Sequence, residues 1–241
     1  SVARIVLASS VAIYGSSNYN CAEHGRVPAA GRTREDLDAG RFEPRCPECG
    51  YELVQSPVRE DDPLDPPKNI YAVTKLAQEH LLATWAMETG GQAISLRYHN
   101  VYGPGIGYDN SYSGVAAVFR SAVARGEAPR VYEDGGPLRD FIHVDDVAAA
   151  NLVAVSSDVA GFRPYNVATG EPHSIGDVAA ELASAGGAPR PVVTRQYRIG
   201  DVRHIVASPD RLTTETGWRP KVGFTEGMKE FASAPVRGWV G

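Results

Sequence analysis

Residues 69–98 read NIYAVTKLAQEHLLATWAMETGGQAISLRY, and this stretch decides the fold. From Asn69 to about Glu88 apolar side chains recur at helical spacing, with Leu76, Leu82, Trp85 and Ala86 on one stripe, and Gly90-Gly91 closes the segment. Ala93-Ile94-Ser95-Leu96-Arg97-Tyr98 then reads as a β-strand. Upstream, Ala3-Arg4-Ile5-Val6-Leu7-Ala8-Ser9 is a short apolar run ending in small polar residues, the pattern of a buried parallel strand entering a loop. Strand, helix and strand in that order predict an α/β chain with a parallel sheet.

The same alternation continues downstream. The pattern predicts helices over 115–124, 145–155 and 175–183, the last capped by Ser174, with short ones near 209–216 and 225–231. Strands are expected at 130–132, 141–144, 164–167 and 192–194, with Glu133-Asp134-Gly135-Gly136 as a hairpin turn. Between Ser16 and about Pro67 lies a long polar stretch rich in Gly, Pro, Arg, Asp and Glu. Such a segment is uncommon in a compact domain unless something local staples it. The strand at residue 3 expects neighbours of its own, so either preceding residues are missing or another chain supplies the missing layers.

With 241 residues, 43% of them hydrophobic, the chain can bury a sizeable core, which excludes disorder and fibrous repeats. A net charge of −5 argues against a nucleic-acid partner, which needs a basic face. No apolar run approaches the roughly 18 residues of a membrane helix, so no membrane partner is expected. Three cysteines, two of them in a C-x-x-C, read as a cytosolic chain with a metal site.

That site is Cys21-x-x-His24 with Cys46-x-x-Cys49. Three thiolates and one imidazole are the number and softness a tetrahedral Zn²⁺ wants, and each short turn offers two ligands to one ion. Closing a long loop through a metal offsets much of its ordering entropy. Four protein ligands leave no open position for water, so the expected role is structural; a redox C-x-x-C and chance spacing are the competing readings.

Tyr71-x-x-x-Lys75 is the catalytic candidate. Residues i and i+4 share a helix face, and an ammonium beside a phenol favours the phenolate, which makes tyrosine a usable acid/base. Taken alone the spacing also describes an ordinary helix surface. Two further segments give it weight: Ser9-Ser10-Val11-Ala12-Ile13-Tyr14-Gly15 and Leu96-Arg97-Tyr98-His99-Asn100-Val101-Tyr102-Gly103-Pro104 both follow strands, where ligands bind in open α/β sheets.

The order S-S-x-x-x-Y-G, Y-x-x-x-K, L-R-Y-x-N-V-Y-G-P, R-D-F-I-H-V-D-D-V resembles the extended short-chain dehydrogenase/reductase superfamily, the NAD-dependent nucleotide-sugar epimerases and dehydratases, over essentially the whole chain. The dehydratases carry an Asp-Glu pair where this sequence has Val11 and Ala12, so no acid stands there to eliminate water, and the 4-epimerases need none. The cysteine-bearing insert, Asn110-Ser111-Tyr112-Ser113-Gly114-Val115 and Tyr197–His204 resemble the dTDP-L-rhamnose 4-epimerase branch.

The resemblance implies a doubly wound Rossmann-type sheet, incomplete here, with residues 1–100 as part of the dinucleotide domain and 16–67 as its insertion. Residues 101–241 would form mainly a smaller mixed α/β substrate domain, with 139–167 returning to the first sheet. It implies NAD as cofactor and a dTDP-6-deoxyhexose as substrate, epimerised by transient oxidation at C4. Tyr71 would be the acid/base, Lys75 would hold the nicotinamide ribose, Ser10 would bond the reacting oxygen and His99 would lie against the nicotinamide. Asn100, Arg139 and Arg198 would grip the diphosphate, for which arginine's planar fork is suited, and Asp201 would position Arg198 or the nucleotide. His143 reads as structural, and Asp145 and Asp146 as helix-start charges. Family members pair as homodimers through a helix bundle that includes the Tyr71 helix.

Complete members begin with a strand and a G-x-x-G-x-x-G turn that binds the NAD pyrophosphate, and this sequence holds no such glycine pattern. The chain alone is therefore expected to bind NAD weakly and turn over little; micromolar affinity in a calorimetric titration would overturn this. The alternatives are a non-catalytic sugar-nucleotide-binding module, or a related dehydratase, decarboxylase or reductase.

Overall fold

The computed structural model describes residues 2–107 and 114–235, so the 110–113 part of the branch-like motif lies outside the described residues. The chain opens with β1 (Arg4–Ser10) and a 3-10 turn (Val11–Tyr14). The insertion follows as β2 (Asn18–Cys21), β3 (Gly25–Val27), α1 (Arg34–Asp38) and β4 (Val54–Ser56). Next come α2 (Ile70–Thr89), β5 (Gln92–Tyr98), β6 (Asn100–Tyr102), α3 (Val115–Ala124), β7 (Arg130–Val131), β8 (Leu138–His143) and α4 (Val144–Ser156). The chain continues through β9 (Phe162–Val167), β10 (Pro172–Ser174), α5 (Ile175–Ala185), β11 (Val192–Val193), α6 (Asp210–Thr216) and α7 (Phe224–Ser233).

β1, β5 and β9 form a parallel sheet with β5 in the middle. Its register sets Ser10 beside Tyr98 and Tyr98 beside Val167, so the strands' carboxyl ends finish level. Ile94 and Leu96 point to the face covered by α4, where they are fully buried with Ala150, Ala154 and Tyr165. Each such aliphatic side chain contributes about 1.5–3 kcal/mol by leaving water.

The opposite face, under α2, is polar. Glu79 of α2 accepts from Arg97 Nε at 3.2 Å, Arg97 Nη2 at 2.9 Å and Ser95 Oγ at 2.6 Å. Arg97 Nη1 also donates to Tyr14 Oη and to the Glu60 carbonyl. Burial pushes the Tyr14 phenol up to about 12, and its hydroxyl donates to Asn166 Oδ1. This buried network fixes α2 against β5. Helix ends behave as their residues require: Asn69 Oδ1 accepts from Ala72 N, and Gly90 takes the left-handed C-cap at φ 69°.

A second layer holds β10-β8-β6, with β6 parallel to β8, and an apolar cluster under α3, α5 and α7 built on Tyr102, Phe119, Leu182, Met228 and Phe231. Ser174 and Asp177 make a full capping box on α5. The hairpin expected at Glu133–Gly136 is not one. β7 pairs in parallel with β11 while β8 pairs with β6 and β10, so the turn links two sheets. The physical reason is ionic: Glu133 is buried at φ 53°, its carboxylate held by Arg32 and Arg203.

The stretch expected to lack regular structure contains a three-stranded antiparallel sheet, β3-β2-β4, with a small core of Tyr19, Cys21, Val27, Cys46 and Leu53. Among the described residues no helix is long and apolar enough to cross a membrane.

Candidate active site

Level strand ends leave a cleft of about 540 Å³ whose walls include Ser10, Tyr71, His99, Asn100, Val115 and Phe141. Each polar group arrives on a rigid element. Ser10 ends β1, His99 and Asn100 follow β5, and Tyr71 stands in the first turn of α2, half exposed. The sequence-derived set Ser10, Tyr71, His99 and Asn100 is thus brought together.

Ser10 Oγ accepts from Ala12 N at 3.2 Å, capping the 3-10 turn, and its own proton stays available to a ligand oxygen. Burial pushes His99 down to about 3, so its imidazole is neutral at physiological pH. Asn100 Oδ1 is buried with no hydrogen-bond partner among the described residues, an acceptor that a bound donor would satisfy. Lys75 lies outside the cleft wall. Its Nζ donates to the Ala8 carbonyl at 2.7 Å and stands 5.8 Å from the Tyr71 ring centroid, which ties the cation to β1 beside the phenol.

Arg139, Arg198 and Asp201 form a separate group. Arg139 donates Nη1 to the Leu138 and Arg203 carbonyls and Nη2 to the Val202 carbonyl. Burial pushes its guanidinium down to about 10, against the pull of the Asp201 charge, so it remains a cation. Arg198 is exposed and seated over the Tyr132 ring at 5.4 Å. Neither arginine has an ion-pair partner within contact distance among the described residues, which leaves guanidinium charge that an anionic ligand could meet. Asp201, expected beside Arg198 or the nucleotide, makes no ion pair with Arg198. The two share a turn through Asp201 N donating to the Arg198 carbonyl.

His143 is fully buried as the structural reading expects, with Nδ1 accepting from Asp145 N at the start of α4. Asp146 accepts from Lys221 N and Val222 N, a buried role that sequence did not show. Sequence reading also missed the roles of Arg97, Glu79, Arg32, Glu43 and Arg203. The one available signal was a charged residue standing inside an apolar strand pattern, as Arg97 does in AISLRY.

Sγ of Cys21, Nδ1 of His24 and Sγ of Cys46 and Cys49 converge, all four ligand atoms lying within 4.8 Å of one another. Cys21 Sγ is 3.7 Å from His24 Nδ1 and 3.5 Å from Cys49 Sγ, and Cys46 Sγ is 3.6 Å from His24 Nδ1.

The model of the NAD dependent epimerase/dehydratase family matches residues 48–168. A dTDP-L-rhamnose 4-epimerase of Burkholderia thailandensis is 34% identical over 229 residues, covering 95% of this chain and 61% of that protein. The UDP-glucose 4-epimerase of Thermus thermophilus, solved with NAD, superposes at a TM-score of 0.67 with 31% identity, over 95% of this chain and 62% of that one. The UDP-N-acetylglucosamine 4-epimerase of Methanobrevibacter ruminantium, solved with UDP-N-acetylmuramic acid, gives 0.73 with 26% identity over the same shares. The chain thus spans about three fifths of the length of these relatives.

Proposed function

The chain belongs to the NAD dependent epimerase/dehydratase family, and on that premise we propose that it carries the chemical and sugar-nucleotide-binding residues of a 4-epimerase acting on a dTDP-6-deoxyhexose. The observation that carries the reading is the cleft at the carboxyl ends of β1 and β5, where Ser10, Tyr71, His99 and Asn100 meet. NAD, when bound, supplies the acceptor for the C4 hydride and returns it. Its nicotinamide end fits the buried, neutral His99 imidazole on the cleft wall.

The rest falls to this chain. Tyr71 takes the proton from the sugar 4-hydroxyl as the C–H bond at C4 gives up its hydride, leaving a 4-keto sugar. Lys75 supplies the positive charge beside that phenol. Ser10 donates to O4 through both half-reactions. The keto sugar turns over, hydride returns to its other face, and Tyr71 gives its proton back to O4. Net oxidation state is unchanged and C4 is inverted. Arg139 and Arg198 hold the diphosphate while the sugar turns, for which a fixed anchor at one end and a loose pocket at the other are needed.

The four-ligand cluster supports a structural zinc. Tetrahedral Zn–S bonds of about 2.3 Å place sulfurs about 3.8 Å apart, close to the separations between the cysteine and histidine ligand atoms. One zinc per chain by metal analysis is expected, and none would refute it.

The test of activity uses an NAD-loaded protein carrying this chain, incubated with dTDP-L-rhamnose in deuterated water. Ring-proton NMR should show the C4 epimer appearing with its C4 hydrogen retained. Unchanged configuration with both dTDP-L-rhamnose and UDP-glucose would overturn the epimerase reading.

A further inference from the structure

The two arginines assigned to the diphosphate do not stand on the parallel sheet that carries the chemistry. Arg198 sits on the segment 197–205, and Arg139 turns its guanidinium onto the carbonyls of residues 202 and 203 within it. Where that segment lies therefore decides where both cations point. One end of it joins the second layer, since Ile205 bridges to Arg139, and just beyond that end Ala207 bridges to Val58 of the insertion. The rest is held from the other side by the insertion.

Arg203 is the junction. Its side chain is 1% exposed and its guanidinium donates to Glu43 of the insertion and to Glu133 and Asp134 of the β7–β8 turn. Gly136 leaves room beside it: a Cβ there would stand 2.5 Å from Arg203 Nη2 and would push the guanidinium from this position. Glu43 also takes His204: the Nε2 to Oε2 distance is 2.7 Å, and because His204 Nδ1 accepts from Leu138 N, Nε2 is the donor. Arg32, again from the insertion, spans two partners, Nη1 to Glu133 Oε1 at 2.7 Å and Nη2 to the Asp201 carbonyl at 2.6 Å. Glu133 is held at positive φ by two arginines at once, a conformation that persists only where surroundings over-determine it.

We infer that the insertion is a clamp on the diphosphate-facing segment, with Arg32 and Glu43 as positioning residues that fix 198–204 and so aim Arg139 and Arg198. The inference rests on the diphosphate role proposed above for those two arginines. It gives the insertion a task in substrate binding beyond its own stability. Arg203, Arg32 and Glu133 are buried deeply enough to be costly to desolvate and hold well only with all their bonds made, while Glu43 is one-third exposed, so the clamp is geometry-dependent.

Two variants of the 241-residue chain test it. Glu43→Gln keeps the shape but turns an amide donor toward the His204 Nε2 donor or the Arg203 fork, whichever way it flips. Arg32→Lys keeps the charge but offers one ammonium where two separate bonds are made. Amide hydrogen exchange is read without ligand, dTDP affinity by calorimetry, and thymidine binding by NMR shifts. Exchange within 198–204, read at the Asp201 and His204 amides that donate to the Arg198 carbonyl and Tyr19 Oη, should rise at least tenfold in both variants while β5 stays protected. dTDP affinity should fall at least tenfold, and thymidine, which carries no phosphate, should bind as before. Unchanged exchange at 198–204 overturns the clamp, and so does faster exchange with dTDP affinity intact. General damage would weaken both ligands and expose β5, which also counts against it. A wild-type chain that ignores dTDP overturns the diphosphate reading separately, because the exchange result stands without ligand.

Discussion

The cleft and the insertion solve opposite problems with opposite means. At the cleft, the reacting groups make few bonds of their own: Tyr71 is half exposed, and Lys75 holds one backbone carbonyl. Their positions come from the elements beneath, β1, β5 and α2, which are fixed by apolar packing and by the buried Arg97–Glu79 pair. The insertion's own apolar cluster is small, Tyr19, Cys21, Val27, Cys46 and Leu53, so its side chains must do much of the holding, through ion pairs and thiol–imidazole convergence. A group free for chemistry can be removed without unfolding anything. A group that substitutes for a core cannot.

The largest effect expected from this contrast is at Tyr71. Tyr71→Phe removes only a hydroxyl on a half-exposed ring, so the thermal midpoint should stay put while turnover in the NAD-loaded protein falls roughly 10²–10⁴-fold. A variant that keeps its rate would show that another group moves the proton.

The next effect lies behind the cleft. Glu79→Ala strips the carboxylate from a pair whose side chains are 4% and 5% exposed, leaving the Arg97 charge buried alone. Urea titration should show a loss of roughly 3–5 kcal/mol, the usual cost of orphaning a buried charge. A loss below about 1 kcal/mol, the worth of an exposed pair, would mean that packing alone sets α2.

On the insertion, Cys46→Ser or removal of metal by a strong chelator should loosen 18–56 and leave the parallel sheet intact. Limited proteolysis should then show cuts in the insertion and in 197–205. Cuts within β5 or α2 would blur the distinction between the two regions.

How far sequence alone reaches follows the same division. Strands, helices and their order were legible wherever apolar periodicity or a capping residue announced them, as at Asn69, Gly90 and Ser174. Ser10, His99 and Asn100 were legible as cleft-lining residues because they follow strand ends in a parallel sheet, a place fixed by topology, while Tyr71 was read from its helix spacing to Lys75. The β-strands of the insertion were not, because Asn18–Cys21 and Val54–Ser56 are too short and too polar to show a period of two. Glu133–Gly136 misled because a Gly-Gly turn signals a hairpin locally, while the choice of sheet was made by Arg203 some 70 residues away. Ion pairs across such separations leave no local pattern, and that is why Glu43, Arg32 and Arg203 carried no role until the fold placed them together.

The smallest effect expected is a pH slope belonging to the insertion alone. Burial works to raise the Glu43 carboxyl, but hydrogen bonds from His204 and Arg203, with the charge of Arg203, prevail and hold it at about 2, against an ordinary 4.5. A carboxyl depressed in the folded state takes up its proton in the unfolded chain first. Its contribution is therefore complete above pH 4.5 and is lost as pH falls from there toward about 2. The carboxylate is 33% exposed, so solvent screens part of the effect, and the slope should stay below about one proton. Denaturant titrations of wild type and Glu43→Gln between pH 5 and about 2.5 read it, because depressed carboxyls remote from Arg203, Glu79 among them, cancel in the difference, while Asp134, on the same guanidinium, contributes with Glu43. The stability gap should narrow as the solution is acidified. A gap that is constant with pH would mean that Glu43 holds Arg203 and His204 by shape and not by charge, and that the insertion's hold on 197–205 is less ionic than its contacts imply.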